Sequence, residues 1–284
     1  MSDGASSLAE VADDRPRRRY RGWGGIALLG VFIVLVLVGP WVVPHDPLAP
    51  APAAKLSPPS ASHVFGTDQL GRDVFSRVIT ATRLDLGIAF AAVSISLVLG
   101  TALGAAAGWA GGWTDRIVGR LLDTIMAFPL FVLAVGVAAA LGNSISSVVI
   151  ATAVVNLPFY ARQTRAEVNR RRGAGFVEAA RLAGTGPVAI VALHIMPNVA
   201  PPLMVQSSLN MGWAILNAAG LSFIGLGVRP PQPEWGIMVS EGAANIFSGE
   251  WWLFVFPGAA LMLAVLAFSV VGDTLRDRLD PRRR

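Results

Sequence analysis

Leu86-Gly-Ile-Ala-Phe-Ala-Ala-Val-Ser-Ile-Ser-Leu-Val-Leu-Gly-Thr-Ala-Leu-Gly-Ala-Ala-Ala-Gly-Trp109 contains no charged side chain. At about 1.5 Å per residue, a helix of this length crosses the roughly 30 Å hydrocarbon core of a bilayer. Five more runs qualify on either side of it: 24–43, 122–141, 145–160, 199–221 and 251–271. The run 145–160 is short, and 199–221 carries several amides. Composition agrees, since 54% of the 284 residues are hydrophobic and 14% are charged, about half the charge of a soluble domain. The expected fold is an all-α integral membrane protein with six transmembrane helices.

The chain has no cysteine, which excludes disulfide frameworks, thiolate metal sites and cysteine nucleophiles. His45, His63 and His194 lie far apart in sequence, without HExxH or paired-ligand spacing, so no metal site is expected. The net charge of +5 could suggest nucleic acid, but the basic residues cluster beside apolar runs, as membrane flanks do. Of 23 Lys and Arg, 18 fall on the side holding both termini, Arg116, Arg120 and the loop from Arg162 to Arg181. The positive-inside rule therefore makes both termini cytoplasmic. Arg17, Arg18, Arg19 and Arg21 precede the first run, but no small-residue cleavage site follows it, so it reads as a retained anchor.

The divisions that follow are a basic tail at 1–23, a first span within 24–44, an outer segment 45–85, a core 86–272 with a cytoplasmic loop 161–196, and a tail 273–284. Residues 44–62 are rich in Pro and Ala and read as an extended, partly disordered linker. After it, Leu70, Val74, Phe75, Val78 and Ile79 recur at helical spacing opposite Arg72, Asp73 and Arg77, which predicts a short amphipathic outer helix capped by Thr67 or Asp68. Gly100, Gly104 and Gly108 share one helix face and suit close intramolecular packing or a dimer contact. Pro129, Pro158 and Pro257 permit kinks. In the loop, Phe176-Val-Glu-Ala-Ala-Arg-Leu-Ala predicts a two-turn helix stopped by Gly184-Thr-Gly-Pro. So short a helix needs something to pack against.

Glu178-Ala179-Ala180, Gly184 and Pro197 stand at the spacing of the signature in membrane subunits of ATP-binding-cassette (ABC) importers, which this chain resembles. Gly66-Thr67-Asp68-Gln-Leu-Gly71-Arg72-Asp73-Val-Phe-Ser76-Arg77 is similar to a segment of the dipeptide/oligopeptide/nickel importer permeases, specifically their second (C-type) membrane subunit. Pro230-Pro-Gln-Pro-Glu-Trp235-Gly236-Ile-Met and Gly272-Asp-Thr-Leu-Arg-Asp-Arg-Leu-Asp-Pro resemble two more of their segments. The resemblance covers residue 20 onward. It implies a type I ABC importer permease fold in the bacterial cytoplasmic membrane, with a coupling helix that includes Phe176, Glu178, Ala179, Ala180 and Arg181. It also implies a homologous second permease, two ABC ATPase subunits or domains, and an extracytoplasmic peptide-binding protein.

No catalytic residue is expected in this chain. A Walker loop needs a lysine after its glycines, and the one lysine is Lys55 in a Pro/Ala segment; ATP and Mg then belong to partner chains. In the fifth run Gln206, Asn210 and Asn217 fall within about 40° of one another, and Thr152 and Asn156 are four apart in the fourth. Each set reads either as a translocation path or as interhelical hydrogen bonding. Asp123 and Asp273 read either as interface anchors or as partners of Arg116, Arg120 or Arg276, and Trp251 and Trp252 as aromatic-belt residues. An intramembrane protease is disfavoured because Gly220-Leu-Ser-Phe-Ile-Gly lacks the second elbow glycine. An ion-coupled secondary transporter is disfavoured for want of a mid-span carboxylate or clear inverted repeat. Within the family, peptides are favoured over nickel, glutathione or another small solute.

Overall fold

The computed structural model describes residues 15–279, and these are helical apart from turns and loops. The first part of the basic tail and the end of the Gly272 motif, 280–284, lie outside the described residues. In chain order the helices are α1 (Arg15–Val42), α2 (Val74–Ala110), α3 (Gly112–Ala127), α4 (Leu130–Leu141), α5 (Ile145–Arg171), α6 (Gly175–Leu182), a single turn α7 (Pro187–Ala189), α8 (Met196–Phe223), α9 (Trp235–Ala243) and α10 (Trp252–Leu279). A π turn, Ile190–Ile195, joins α7 to α8 without a break. Four described helical stretches, Val74–Ala110, Ile145–Arg171, Pro187–Phe223 and Trp252–Leu279, are long and apolar enough to cross a membrane. Within α1, Trp23–Gly39 is apolar but shorter.

The run 122–141 is not one straight span. Helix α3 ends at Ala127 and α4 starts at Leu130, with their axes 94° apart. Phe128 and Pro129 between them leave the α conformation, with ψ of 146° and 121°, and proline disfavours that conformation for the residue before it. Val118 and Leu122 of α3 pack against Ala107 and Ala161, so tertiary packing fixes the bend that proline permits.

Helices α2 and α5 form the centre. A Cβ on Gly100 would sit 2.7 Å from the Leu157 carbonyl, one on Gly108 would sit 2.7 Å from that of Arg165, and one on Gly104 would collide with the Ala161 carbonyl. The glycine face therefore serves packing within the chain, where close backbone approach replaces the hydrophobic drive that lipid cannot supply. This contact also explains why α5 runs on to Arg171, well past the apolar residues ending at 160. Gly104→Val is expected to destabilise the chain by about 1–3 kcal/mol through overpacking, read as a lower unfolding temperature in detergent. An unchanged midpoint would contradict the contact.

The segment 44–73 is not a free linker leading to a separate amphipathic helix. It folds back on itself through Ala51 N to Leu70 O (3.0 Å), Leu56 N to Asp68 O (3.1 Å) and Thr67 N to Ser57 O (3.0 Å). Gly66 and Gly71 take positive φ of 71° and 78°, which glycine adopts without steric cost. Helix α2 then starts directly at Val74. Its cap is Asp73, whose Oδ2 accepts from Ser76 N at 2.8 Å, and neither Thr67 nor Asp68 fills that role.

Candidate functional site

At one end of the bundle, α6 presents two different faces. Val177 and Ala180, three residues apart, are buried against Ile190 and Ile195 of the π turn. Phe176, Glu178, Ala179 and Arg181 are exposed, as is Leu182 at 90%. Val188 and Leu193 beyond it are also largely exposed, so an apolar surface continues past the helix. The Arg181 guanidinium lies 4.9 Å over the Trp109 ring, a cation–π contact that ties α6 to the end of α2.

Gly184, at φ +81°, closes α6 with paired bonds, Gly184 N to Arg181 O and Thr185 N to Ala180 O, both 3.0 Å. This is a Schellman cap. Pro197 sits just after the π turn, inside the continuous helical stretch Pro187–Phe223, where it removes a backbone donor. Gly184→Ala forces a Cβ into the left-handed region at about 1–2 kcal/mol. The expected reading is faster hydrogen exchange at the Gly184-position and Thr185 amides, and unchanged protection would refute the cap's role. Between α5 and α3, Arg165 pairs with both Asp115 oxygens and Arg162 with Asp123 at 2.6 Å. Asp123 is thus held by Arg162, and not by the expected Arg116 or Arg120.

At the opposite end, the segment containing Gly66, Thr67, Asp68, Gly71, Arg72, Asp73, Ser76 and Arg77 forms a clasp. Asp68 accepts from the Leu70 and Arg72 amides (2.9 Å each) and from Arg72 Nε (2.6 Å), and it lies 3.5 Å from Arg77 Nε. Arg77, 1% exposed, also donates to the carbonyls of Pro47 (3.1 Å) and Pro231 (3.4 Å). It thereby joins the segment after α1 to the segment before α9. Trp235 is fully buried, with Nε1 donating to Val78 O at 3.0 Å and its backbone N to Asp85 Oδ2 at 3.1 Å. Gly236 lets α9 approach Ala219 of α8 closely. Glu234 caps α9 by accepting from the Gly236 and Ile237 amides, while burial pushes its carboxyl above the usual range. Trp252 is buried and donates to Thr67 O at 3.1 Å, so it belongs to this clasp and not to an aromatic belt.

The amides between the two ends do not form one surface. Thr152 and Asn156 are buried on α5, with Asn156 Nδ2 donating to Thr152 O at 2.9 Å. Gln206 Nε2 donates to the Oδ1 of buried Asn210 at 2.9 Å. Asn217 is half-buried and donates to Trp213 O within its own helix at 2.9 Å. Tyr160 links the two helices by donating to Ser207 Oγ at 3.2 Å. It was not among the expected site residues, because a tyrosine at the end of an apolar run gives no signal of its own. Along α1, α2, α8 and α10 there is instead an open apolar cleft of about 1720 Å³, lined by residues such as Ile33, Phe90, Val98, Met204 and Phe268.

Residues 100–284 match the family described as the inner membrane component of binding-protein-dependent transport systems. The chain belongs to that family. The permease is 41% identical over 255 residues, 90% of this chain and 85% of the other, to the probable D,D-dipeptide transport system permease protein DdpC of Escherichia coli (strain K12). It is 42% identical, over 91% and 87%, to the di/tripeptide transport system permease protein DppC of Pseudomonas aeruginosa (strain UCBPP-PA14). It is also 39% identical, over 90% and 92%, to the nickel transport system permease protein NikC of Escherichia coli (strain K12). A chain of the MetNI methionine ABC transporter in an inward-facing crystal form superposes with a TM-score of 0.58 at 17% identity, covering 72% of the permease and 98% of that chain. The permease therefore has the ABC importer membrane-subunit fold.

Folding of the permease also brings together two histidines that are distant in sequence. The His45 and His63 rings lie 4.7 Å apart, both beside Asp73 at the start of α2. Sequence separation had argued against any grouping of histidines.

Proposed function

We propose that this chain is the second permease subunit of an ATP-driven peptide importer in the bacterial cytoplasmic membrane. It forms half of a translocation path with a homologous permease, and it couples to two separate ATPase subunits or domains that hold ATP and Mg. An extracytoplasmic binding protein delivers the substrate at the clasp end. The permease crosses the membrane six times, with α1 as the first span and the bent α3–α4 pair contributing the third, and both termini are cytoplasmic. The bias of Lys and Arg toward the α6 end supports this orientation. The naming of similar permeases for peptide transport supports the substrate class, and the similarity to a nickel permease makes nickel the second reading.

The observation that carries the coupling role is the exposed apolar face of α6, Phe176 and Leu182, on a helix whose other face is locked onto the base of α8. ATP-driven closure of the ATPases displaces α6. Its links to α8 through the π turn and to α2 through Trp109 pass that displacement to the spans, so that the shared cavity changes its open side. Differential contact of α6 with the open and closed ATPase dimer supplies the coupling energy. Gln206, Asn210, Asn217, Thr152 and Asn156 are the candidate path residues, with selectivity left mainly to the binding protein.

The test is to tag the chain in its native host, solubilise membranes gently and identify co-purifying proteins by mass spectrometry. A second permease with Walker-type ATPases is the expected recovery. The chain alone, under conditions that preserve other complexes, would overturn the assignment.

A further inference from the structure

We propose that His45, His63 and Asp73 form a divalent transition-metal site, with zinc as its metal, which staples the segment after α1 to the start of α2. The three side chains each offer one ligand atom, all within 4.8 Å of one another. His63 Nδ1 is 2.9 Å from Asp73 Oδ1, and His45 Nδ1 is 3.9 Å from the same oxygen. Ligands held at about 2.0–2.2 Å from one zinc ion lie roughly 3 Å apart. The His63–Asp73 pair already has that spacing, and His45 reaches it by a small ring rotation that its 42% side-chain exposure permits.

His63 Nδ1 and Asp73 Oδ1 are within hydrogen-bond distance at 2.9 Å, and the surroundings also suit a cation between them. The Asp73 side chain is 1% exposed, and among the described residues its ion-pair neighbours are these two histidines. Among the described residues no arginine or lysine forms an ion pair with it, whereas Asp68 nearby has Arg72 and Arg77. The start of α2 compensates one Asp73 oxygen through Ser76, and a cation shared with the two rings would compensate the other, buried one. The former is fixed by Ser76 N at 2.8 Å and Ser76 Oγ at 2.7 Å, a supporting bond that orients Oδ1 toward the histidines. The ligand backbones are anchored too: His45 N donates to Ser76 Oγ (3.3 Å), and His63 O accepts from Ser60 N (2.9 Å) and Gly66 N (2.8 Å). Two imidazoles and a carboxylate suit zinc, nickel or copper(II) and not calcium or magnesium. A bound ion would close the loops 45–63 and 63–73 at once, restricting the segment that carries the clasp. The inference rests on neither the substrate nor the coupling reading.

The test uses the full chain in its purified complex, isolated through a histidine-free tag, stripped with chelator and titrated with zinc at neutral pH. The expected result is one zinc per chain, with affinity reduced about tenfold or more by His45→Ala and by His63→Ala, and unchanged by His194→Ala. His45→Ala removes an exposed ring, so its unfolding temperature without metal should match the parent. Zinc should also protect residues 44–62 from proteolysis in the parent and not in the His45→Ala/His63→Ala chain. No stoichiometric zinc in the parent, or equal affinity in that double variant, would overturn the proposal.

Discussion

Leu182→Asp in α6 is expected to abolish ATP-driven uptake while leaving the chain folded and inserted. The side chain is 90% exposed and takes no part in the packing of Val177 and Ala180 on the π turn. A carboxylate in the last turn of α6 opposes the helix dipole by about 0.3–1 kcal/mol, a small cost for an exposed site. If the same face is buried in an ATPase groove, an unpaired carboxylate there costs several kcal/mol of docking energy, and uptake in proteoliposomes falls below detection. Glu178→Ala, on the same exposed side, should weaken uptake and substrate-stimulated ATP hydrolysis together. Normal uptake by Leu182→Asp would mean that α6 does not contact the motor.

Asp68→Ala is expected to have the largest effect on folding. It leaves Arg72 and Arg77, which are 4% and 1% exposed, without the carboxylate that faces both. Breaking a buried pair from one side costs about 3–5 kcal/mol. Arg72 keeps Glu241 at 3.8 Å and Arg77 keeps two carbonyls, which do not replace the missing charge. The expected readings are a sharply lower unfolding temperature and new proteolytic cuts between residues 44 and 63. Asp68→Asn retains an acceptor for the Leu70 and Arg72 amides and should recover part of the loss. A parent-like Asp68→Ala chain would mean that the clasp is not stabilising.

The same residues show what could be read before folding. The cores of α2 and α10 were visible because lipid demands long uncharged runs, and α6 was visible because Gly184-Thr-Gly-Pro is an unambiguous stop. The C-terminal half of α5 was not, since Arg162, Arg165, Glu167, Arg170 and Arg171 break the apolar signal and the helix persists through packing on Gly104 and Gly108. Pro129 announced a kink but not its 94°, which depends on where α3 docks. Thr67, Asp68 and Asp73 are equally good caps by residue type. The positive φ of Gly66 and Gly71 decides among them by turning the chain just before α2. The meeting of His45 with His63 was invisible for another reason: it depends on long-range loop closure, which leaves no local pattern. Among the residues expected to form the path, full burial of Thr152, Asn156 and Asn210 beside a half-buried Asn217 could not be inferred from helical periodicity alone.

The chain's lack of cysteine opens the most direct test of the coupling claim. Leu182→Cys places one thiol on the exposed face of α6, and a short thiol-reactive photo-cross-linker can then be activated in native membranes with and without ATP and Mg. The expected product is a covalent adduct with a Walker-type ATPase subunit, in a yield that changes with nucleotide, and none from Trp41→Cys at the opposite end of the bundle. Absence of any ATPase adduct from both Leu182→Cys and Val188→Cys, in membranes where the partner ATPase is present, would contradict the coupling claim.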